Sequence, residues 1–160
     1  MMKKIRLLIV DDDDDYMILM RDILEESGLS FEIDEVNTSQ AALESLKRSK
    51  YDCVVIDYLI PGISGLEVMK MARGLEMQTP FIIFSGFGDA ELAEELIKQG
   101  AADFISKDEL NLDVLQYKIN AVISEELSDE VQLAEVQIKN ITIGELMSSP
   151  QSRTNFQSFV

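Results

Sequence analysis

The sequence predicts an α/β protein built on a doubly wound parallel β-sheet, with helices on both faces. Three observations support this fold class. Five short apolar runs recur at fairly even spacing, and segments with the apolar period of an amphipathic helix separate them. The length of 160 residues suits one domain with a short extension. Regular alternation of strand and helix is typical of parallel sheets covered on both faces.

The five apolar runs are the predicted strands, and their patterns differ. The first, third and fourth runs are apolar throughout, as expected for strands that are covered on both faces. The second run partly alternates between apolar and acidic residues, so we place it at an edge of the sheet. In chain order the runs are Ile5–Val10, Phe31–Val36, Cys53–Ile56, Phe81–Phe84 and Phe104–Ile105.

Helical segments follow each predicted strand. Gly28 supplies a stop after the first segment, Ser64 and Glu67 have capping-box spacing at the start of the third, and Asp89 can cap the fourth. The apolar stripes of these helices predict which side chains face the sheet. In chain order they are Tyr16, Leu19, Met20, Ile23 and Leu24; Ala42, Leu43 and Leu46; Leu66, Met69 and Ala72; Leu92, Ala93, Leu96 and Ile97; and Leu115, Ile119, Val122 and Ile123.

Composition and charge exclude several classes of protein. Asp and Glu number 30 against 14 Lys and Arg, and the net charge of −16 opposes binding to nucleic acid or anionic membranes. The sequence contains no His, which excludes a His general base and His metal ligands, and its single Cys cannot form an internal disulfide. No apolar run approaches the roughly 20 residues of a membrane span. We therefore expect a cytoplasmic protein.

Polar residues suited to phosphoryl chemistry follow four of the predicted strands. Asp11–Asp15 follow the first strand, Asp57 the third, Ser85 the fourth and Lys107 the fifth. Parallel strands place such residues at one edge of the sheet. Carboxylates without His suit a hard cation such as Mg²⁺, while Lys and Ser are donors to phosphoryl oxygens. The pattern predicts a Mg²⁺-dependent phosphoryl site with a carboxylate nucleophile.

The residues around these strand ends resemble the receiver domain of two-component response regulators. The order and spacing of four segments fit that family over residues 3–124, which we take as the receiver domain. The resemblance implies a flavodoxin-like (βα)5 fold with five strands in the order 2-1-3-4-5. Residues 125–160 lie beyond the resemblance, and we take them as a C-terminal helical extension. The four segments are Val10–Asp12, Asp57–Gly65, Phe84–Gly86 and Gly100–Lys107.

The resemblance also implies a role for each matching residue. Asp57 would accept a phosphoryl group from the phosphohistidine of a histidine kinase or histidine phosphotransfer protein. Asp11, Asp12, Asp57 and the backbone carbonyl of Leu59 would hold Mg²⁺, with Mn²⁺ as an alternative. Lys107 would balance the charge of the phosphoryl group. On this reading the protein is a switch rather than an enzyme, apart from self-phosphorylation by small phosphodonors and self-dephosphorylation.

Other residues would respond to phosphorylation of Asp57 and change the surface of the protein. The resemblance implies that Ser85 and Gly86 bind the phosphoryl group and that Phe104 turns inward behind Ser85. The fourth helix, fifth strand and fifth helix would then present a changed surface to a downstream protein. Phe104 also fits a plain core position. Asp14 and Asp15 fit a solvated helix start that favours the positive dipole end, while Asp13 fits either a helix cap or a group that supports the metal ligands.

Two features depart from the usual pattern of the family. Asp108 follows Lys107 where receivers usually have a proline joined by a cis peptide, and a cis bond before another residue costs about 2.5–4 kcal/mol. Leu59 and Phe87 occupy the positions that tune water access to the phosphoryl group, and both are large and apolar. We therefore expect slow self-dephosphorylation.

Residues 125–160 and the identity of the site allow alternatives. We expect the extension to be partly helical with a mobile end, and it has coiled-coil-like spacing at Leu127, Val131, Ala134, Ile138 and Ile141. This spacing suits either a homodimer, formed through the fifth helix or the extension, or packing on the same domain. The acidic tail argues against DNA-binding output on this chain. Two other functions remain open: a haloacid-dehalogenase-type phosphatase with Asp11 as nucleophile and Asp13 as acid/base, and a receiver-like scaffold that is not phosphorylated.

Overall fold

The computed structural model describes residues 4–86 and 90–124. Phe87, Asp89 and the extension over residues 125–160 lie outside these ranges, so the predictions made for them remain predictions. No helix among the described residues is long and apolar enough to span a bilayer.

In the part of the chain that the structure describes, five parallel strands form one sheet in the order β2-β1-β3-β4-β5, which confirms the predicted fold class and strand order. The third and fourth strands are buried along their whole length and the second lies at an edge, as their sequence patterns predict. The fifth strand is longer at both ends than the predicted apolar pair. The strands are β1 Ile5–Val10, β2 Phe31–Val36, β3 Cys53–Asp57, β4 Phe81–Ser85 and β5 Asp103–Ser106.

Among the described residues, five α-helices connect and cover the strands. Asp13, Thr38 and Ser64 cap the first three helices through their side chains, and Asn111 Oδ1 accepts from Val114 N at the start of the last. Each cap satisfies a backbone N–H that would otherwise have no partner within its helix. The helices are α1 Asp14–Glu26, α2 Ser39–Arg48, α3 Gly65–Gly74, α4 Ala90–Lys98 and α5, whose described part covers residues 112–124.

Two apolar clusters lie on opposite faces of the sheet. Leu7 and Ile9 of β1 face the cluster under α1 and α5, whereas Leu8 and Val10 face the cluster under α2, α3 and α4. All four side chains are fully buried. Burying one such side chain contributes about 1.5–3 kcal/mol. The two-sided core explains why the central strands are apolar throughout, and it holds their carboxyl ends in fixed positions.

The stripe predicted for α1 is partly wrong. Met17 is buried, whereas Leu19 is 41% exposed and Tyr16 is only partly buried. Residues 16–20 are all apolar or aromatic, so the periodicity allows more than one face of the helix to point inward. Packing against the sheet selects the face with Met17, Met20 and Leu24.

Candidate phosphoryl-transfer site

The sheet brings the predicted residues to one edge. Asp11 directly follows β1, Asp57 and Ser85 are the last residues of β3 and β4, and Lys107 directly follows β5. Asp57 pairs with Phe84 in the ladder between β3 and β4, while Ser85 pairs with Ser106 in the next ladder. The carboxyl ends of four parallel strands therefore form the candidate site.

Three carboxylates converge at this edge. Asp11, Asp12 and Asp57 each offer an oxygen, and these oxygens lie within 4.8 Å of one another. Asp11 and Asp57 are buried, whereas Asp12 is exposed. Asp11 Oδ2 is buried and accepts no hydrogen bond from any described residue. A buried carboxylate oxygen that accepts no hydrogen bond, in a cluster of three carboxylates, fits a hard cation such as Mg²⁺.

Lys107 joins the cluster from the end of β5. Its Nζ lies 2.8 Å from Asp57 Oδ2 and 3.3 Å from Asp11 Oδ2. Burial by itself would lower the pKa of Lys107, but the hydrogen bond to Asp57 and the charges of Asp11 and Asp57 raise that pKa above its ordinary value. No described peptide bond is cis, so the chain continues from Lys107 to Asp108 through a trans bond. The departure at Asp108 therefore leaves the lysine in contact with both carboxylates.

The loop after β3 holds Asp57 in place. Asp57 Oδ1 accepts from the backbone N–H of Leu59 at 3.2 Å, and the N–H of Gly65 donates to Tyr58 O at 2.9 Å. A Cβ atom on Gly65 would lie 2.4 Å from the carbonyl oxygen of Asp57, so α3 starts closer to β3 than any larger residue would allow. The side chain of Leu59 is 51% exposed and is therefore in contact with solvent.

Ser39 at the start of α2 fixes the same loop from the other side. Its hydroxyl donates to Pro61 O at 3.2 Å and accepts from Ile63 N at 3.0 Å, and its own N–H donates to Pro61 O at 3.1 Å. The sequence patterns did not identify Ser39. Its contacts join residues far apart in the chain, and nothing in the local sequence signals them.

Asp13, Asp14 and Asp15 lie outside the converging set. Asp13 Oδ1 accepts from Asp15 N at 3.0 Å and caps α1, while Asp14 and Asp15 occupy the exposed first turn. A helix start favours negative charge. Asp14 and Asp15 thus match the solvated-helix interpretation, and Asp13 is the cap. A phosphatase of the haloacid-dehalogenase type would need the Asp13 carboxylate as acid/base, but this carboxylate already accepts the capping hydrogen bond.

The comparison with protein families decides the identity of the domain. The family model described as the response regulator receiver domain matches residues 7–120. The chain belongs to this family. The receiver is 33% identical over 107 residues to the transcriptional regulatory protein FixJ of Bradyrhizobium diazoefficiens, a match covering 67% of this chain and 51% of FixJ. The chain thus spans about half the length of this curated relative.

Solved structures agree with the assignment. The receiver superposes on the receiver domain of the Francisella response regulator 1452 with a TM-score of 0.71 and 26% identity, covering 77% of this chain and 99% of that chain. A beryllofluoride-activated NtrC4 receiver domain, described as a dimer, gives a TM-score of 0.67 at 25% identity, with 75% and 97% covered.

The proposed switch residues of the receiver lie on neighbouring strands, where Phe104 pairs with Ile83 and Ser85 pairs with Ser106. Ser85 is buried, and Phe104 is partly buried against the cluster under α2, α3 and α4. Lys118 of α5 donates to Phe104 O at 2.7 Å and pairs with Asp103 Oδ1 at 2.9 Å. Phe104 thus occupies an intermediate position compatible with both interpretations, so its switching role remains a prediction.

Tyr16 is a contact of the receiver site that the sequence patterns missed. Lys107 Nζ lies 4.2 Å from the centroid of the Tyr16 ring and 5.2 Å from that of Phe84. The helical period assigned Tyr16 to the buried stripe of α1. The sequence does show that Tyr16 lies about one helical turn after the acidic end of the first strand. It does not show that Tyr16 contacts Lys107, which comes more than 90 residues later in the chain.

The metal-free receiver should lose stability as pH rises through the range in which Asp11 ionises. Burial, followed by the neighbouring Asp57 carboxyl, raises the pKa of Asp11 from 3.8 to about 7. Between these values folded Asp11 holds a proton that unfolded Asp11 has released, so ionisation favours unfolding. We expect urea denaturation in EDTA to give a lower free energy of unfolding at about pH 8 than at about pH 5.

Substitution separates this effect from other titrating groups. Asp11→Asn should reduce the difference between the two pH values, whereas Asp14→Asn on the exposed first turn of α1 should leave it unchanged. Equal pH dependence in wild type and Asp11→Asn would show that Asp11 ionises normally in the folded protein.

Proposed function

We propose that this chain is a phosphoacceptor switch of a two-component phosphorelay, with Asp57 as the residue that takes the phosphoryl group. The contact that supports this best is the 2.8 Å pair between Lys107 Nζ and Asp57 Oδ2, beside Asp11 and Asp12. It places the positive charge of Lys107 beside the carboxylate that would take the phosphoryl group. The donor would be a phosphohistidine on a histidine kinase or histidine phosphotransfer protein, since the chain itself contains no His.

The transfer would be an in-line displacement at phosphorus. A carboxylate oxygen of Asp57 attacks, an O–P bond forms, and the N–P bond to the donor imidazole breaks with its electron pair leaving on nitrogen. Lys107 stabilises negative charge on the phosphoryl oxygens, while Asp11, Asp12, Asp57 and the carbonyl of Leu59 would hold Mg²⁺ or Mn²⁺. When bound, the cation neutralises charge on the phosphoryl group. No separate substrate is turned over, so the protein would act as a switch and not as an enzyme.

The output would arise from Ser85, Gly86 and Phe104. A phosphoryl group on Asp57 offers new acceptor oxygens one strand away from Ser85, and a shift of Ser85 would open space for Phe104. The surface of α4, β5 and α5 would then favour a downstream protein or a second copy of the receiver. Slow self-dephosphorylation, expected from Leu59 and Phe87, belongs to the same proposal.

An intact-mass experiment tests the proposal. The protein is incubated with Mg²⁺ and acetyl phosphate, and we expect a single phosphoryl adduct that Asp57→Asn abolishes and Asp14→Asn retains. Survival of the adduct in Asp57→Asn together with its loss in Asp11→Asn would support the phosphatase alternative. Absence of any adduct, with no Mg²⁺ binding by calorimetry, would favour the scaffold alternative.

A further inference from the structure

The ammonium group of Lys107 is held by aromatic rings as well as by carboxylates. The ring of Tyr16 lies 4.2 Å from Nζ, closer than the ring of Phe84 at 5.2 Å, and the lysine side chain is only 11% exposed. We propose that Tyr16 is a positioning residue for phosphoryl transfer, whose ring holds the Lys107 ammonium at the edge where Asp57 reacts. This inference rests on the proposed function in assigning Lys107 to the phosphoryl group.

Lys107 needs contacts that fix its position, because a lysine side chain is flexible and does not hold its ammonium group in one place by itself. A lysine side chain has four rotatable bonds and a strongly hydrated point charge without directional geometry, so ordering it costs conformational entropy. Phosphorylation would also change the carboxylate that Lys107 contacts, because one Asp57 oxygen becomes a bridging atom to phosphorus. The Tyr16 ring is neutral, so its attraction for the ammonium stays the same before and after the transfer.

The chain ties Tyr16 closely to the acidic cluster. Asp13 N donates to Asp11 Oδ1 at 3.1 Å, and Asp15 N donates to Asp13 Oδ1 at 3.0 Å, which leads directly into the turn that carries Tyr16. These two bonds fix the start of α1 relative to Asp11. The ring therefore has a defined position over the lysine rather than a loose surface one.

Tyr16 can be substituted without creating a cavity in the core, whereas Phe84, the other aromatic residue that contacts Lys107, cannot. Phe84 is fully buried in β4, so removing its ring would create a cavity. Tyr16 is partly buried and packs at the margin of the cluster under α1 and α5. Leucine can keep most of that apolar contact while removing the π face, and phenylalanine keeps the π face while removing only the hydroxyl.

The variants Tyr16→Leu and Tyr16→Phe test the proposal. We expect Tyr16→Leu to slow phosphorylation of Asp57 by acetyl phosphate by about 3- to 30-fold, the range of a partly desolvated cation–π contact. Tyr16→Phe should restore the wild-type rate, because the ring and not the hydroxyl meets the ammonium. The Mg²⁺ dissociation constant, measured by calorimetry without phosphodonor, should be unchanged in both variants.

A direct readout of the contact does not depend on phosphorylation. Ring currents should shift the ε-methylene protons of Lys107 upfield in NMR spectra of wild type and Tyr16→Phe, and the part of this shift due to Tyr16 should be lost in Tyr16→Leu. A wild type that takes no phosphoryl group would overturn the proposed function, and the NMR comparison would still decide where Lys107 lies.

Three results would overturn the inference. The first is a Tyr16→Leu protein with the wild-type rate of phosphorylation. The second is an equal loss of rate in Tyr16→Phe and Tyr16→Leu, which would assign the effect to the hydroxyl. The third is a Tyr16→Leu protein whose Mg²⁺ affinity and thermal stability fall together with its rate, since that pattern describes general disruption of α1 and not the position of one lysine.

Discussion

Lys107→Met is expected to slow the phosphorylation of Asp57 by acetyl phosphate by about 100-fold or more, the typical effect of removing one pre-positioned donor to developing negative charge. The reason is geometric, because Nζ already lies 2.8 Å from Asp57 Oδ2 in the unphosphorylated protein. Methionine preserves much of the apolar volume and removes the charge. Rates from intact mass at saturating Mg²⁺ measure the effect.

The same substitution should destabilise the metal-free protein. Lys107 lies between two buried carboxylates, and removing one partner of a buried ion pair costs about 3–5 kcal/mol when no other charge replaces it. We expect about 3 kcal/mol, because Asp11 can respond by holding its proton. Mg²⁺ should therefore raise the melting temperature of Lys107→Met more than that of the wild type.

Lys98→Met provides the matched control. Lys98 lies in the exposed last turn of α4, so the same change of side chain there should alter neither the rate of phosphorylation nor the response to Mg²⁺. A Lys107→Met protein that is phosphorylated at the wild-type rate would contradict the role given to this lysine.

Gly65→Ala is expected to destabilise the protein and slow the same reaction. The new Cβ would lie 2.4 Å from Asp57 O and 3.1 Å from its carbonyl carbon, so the first turn of α3 and the end of β3 must separate. Overpacking of this kind costs about 1–3 kcal/mol. Displacement of Asp57 relative to Lys107 should lower the rate by about 10- to 100-fold, since group transfer is sensitive to shifts of about 1 Å.

Gly74→Ala separates this steric effect from helix propensity. Gly74 is the last residue of α3, and a Cβ atom there would have no heavy atom within 4 Å. Alanine is favoured over glycine in a helix by up to about 1 kcal/mol, so Gly74→Ala should be neutral or stabilising. Urea denaturation and the acetyl phosphate reaction measure both variants. If Gly65→Ala were as stable and as fast as Gly74→Ala, close approach at Gly65 would not be needed for the site.

Local sequence patterns were sufficient to predict the strands and to place the candidate site residues at one edge of the sheet. Apolar runs identified all five strands, although the fifth run covered only the two central residues of β5, and the mixed pattern of Phe31–Val36 identified the edge strand. Asp11, Asp57, Ser85 and Lys107 could be placed together because strands in a parallel sheet end on the same side. The spacing of apolar residues along the sequence, and the parallel-sheet topology that this spacing predicts, are enough to place these residues.

Contacts between segments that are distant in the chain could not be predicted from local sequence patterns. The stripe of α1 was assigned to the wrong face at Leu19, because a helix that is apolar on several sides is oriented only by what it packs against. The hydrogen bonds of Ser39 to the loop after β3 depend on how closely α2 approaches that loop. The need for glycine at position 65 likewise depends on how closely α3 approaches β3.

The sequence by itself determined the alternating architecture, the acidic edge, and the family resemblance that the comparison then confirmed. Only the tertiary structure decided how the carboxylates are paired, which carboxylate oxygen is buried without a hydrogen bond, and that Tyr16 faces Lys107. The physical reason is that periodicity records which side of an element is apolar. Distances of a few ångströms between side chains depend on how five helices and five strands pack together.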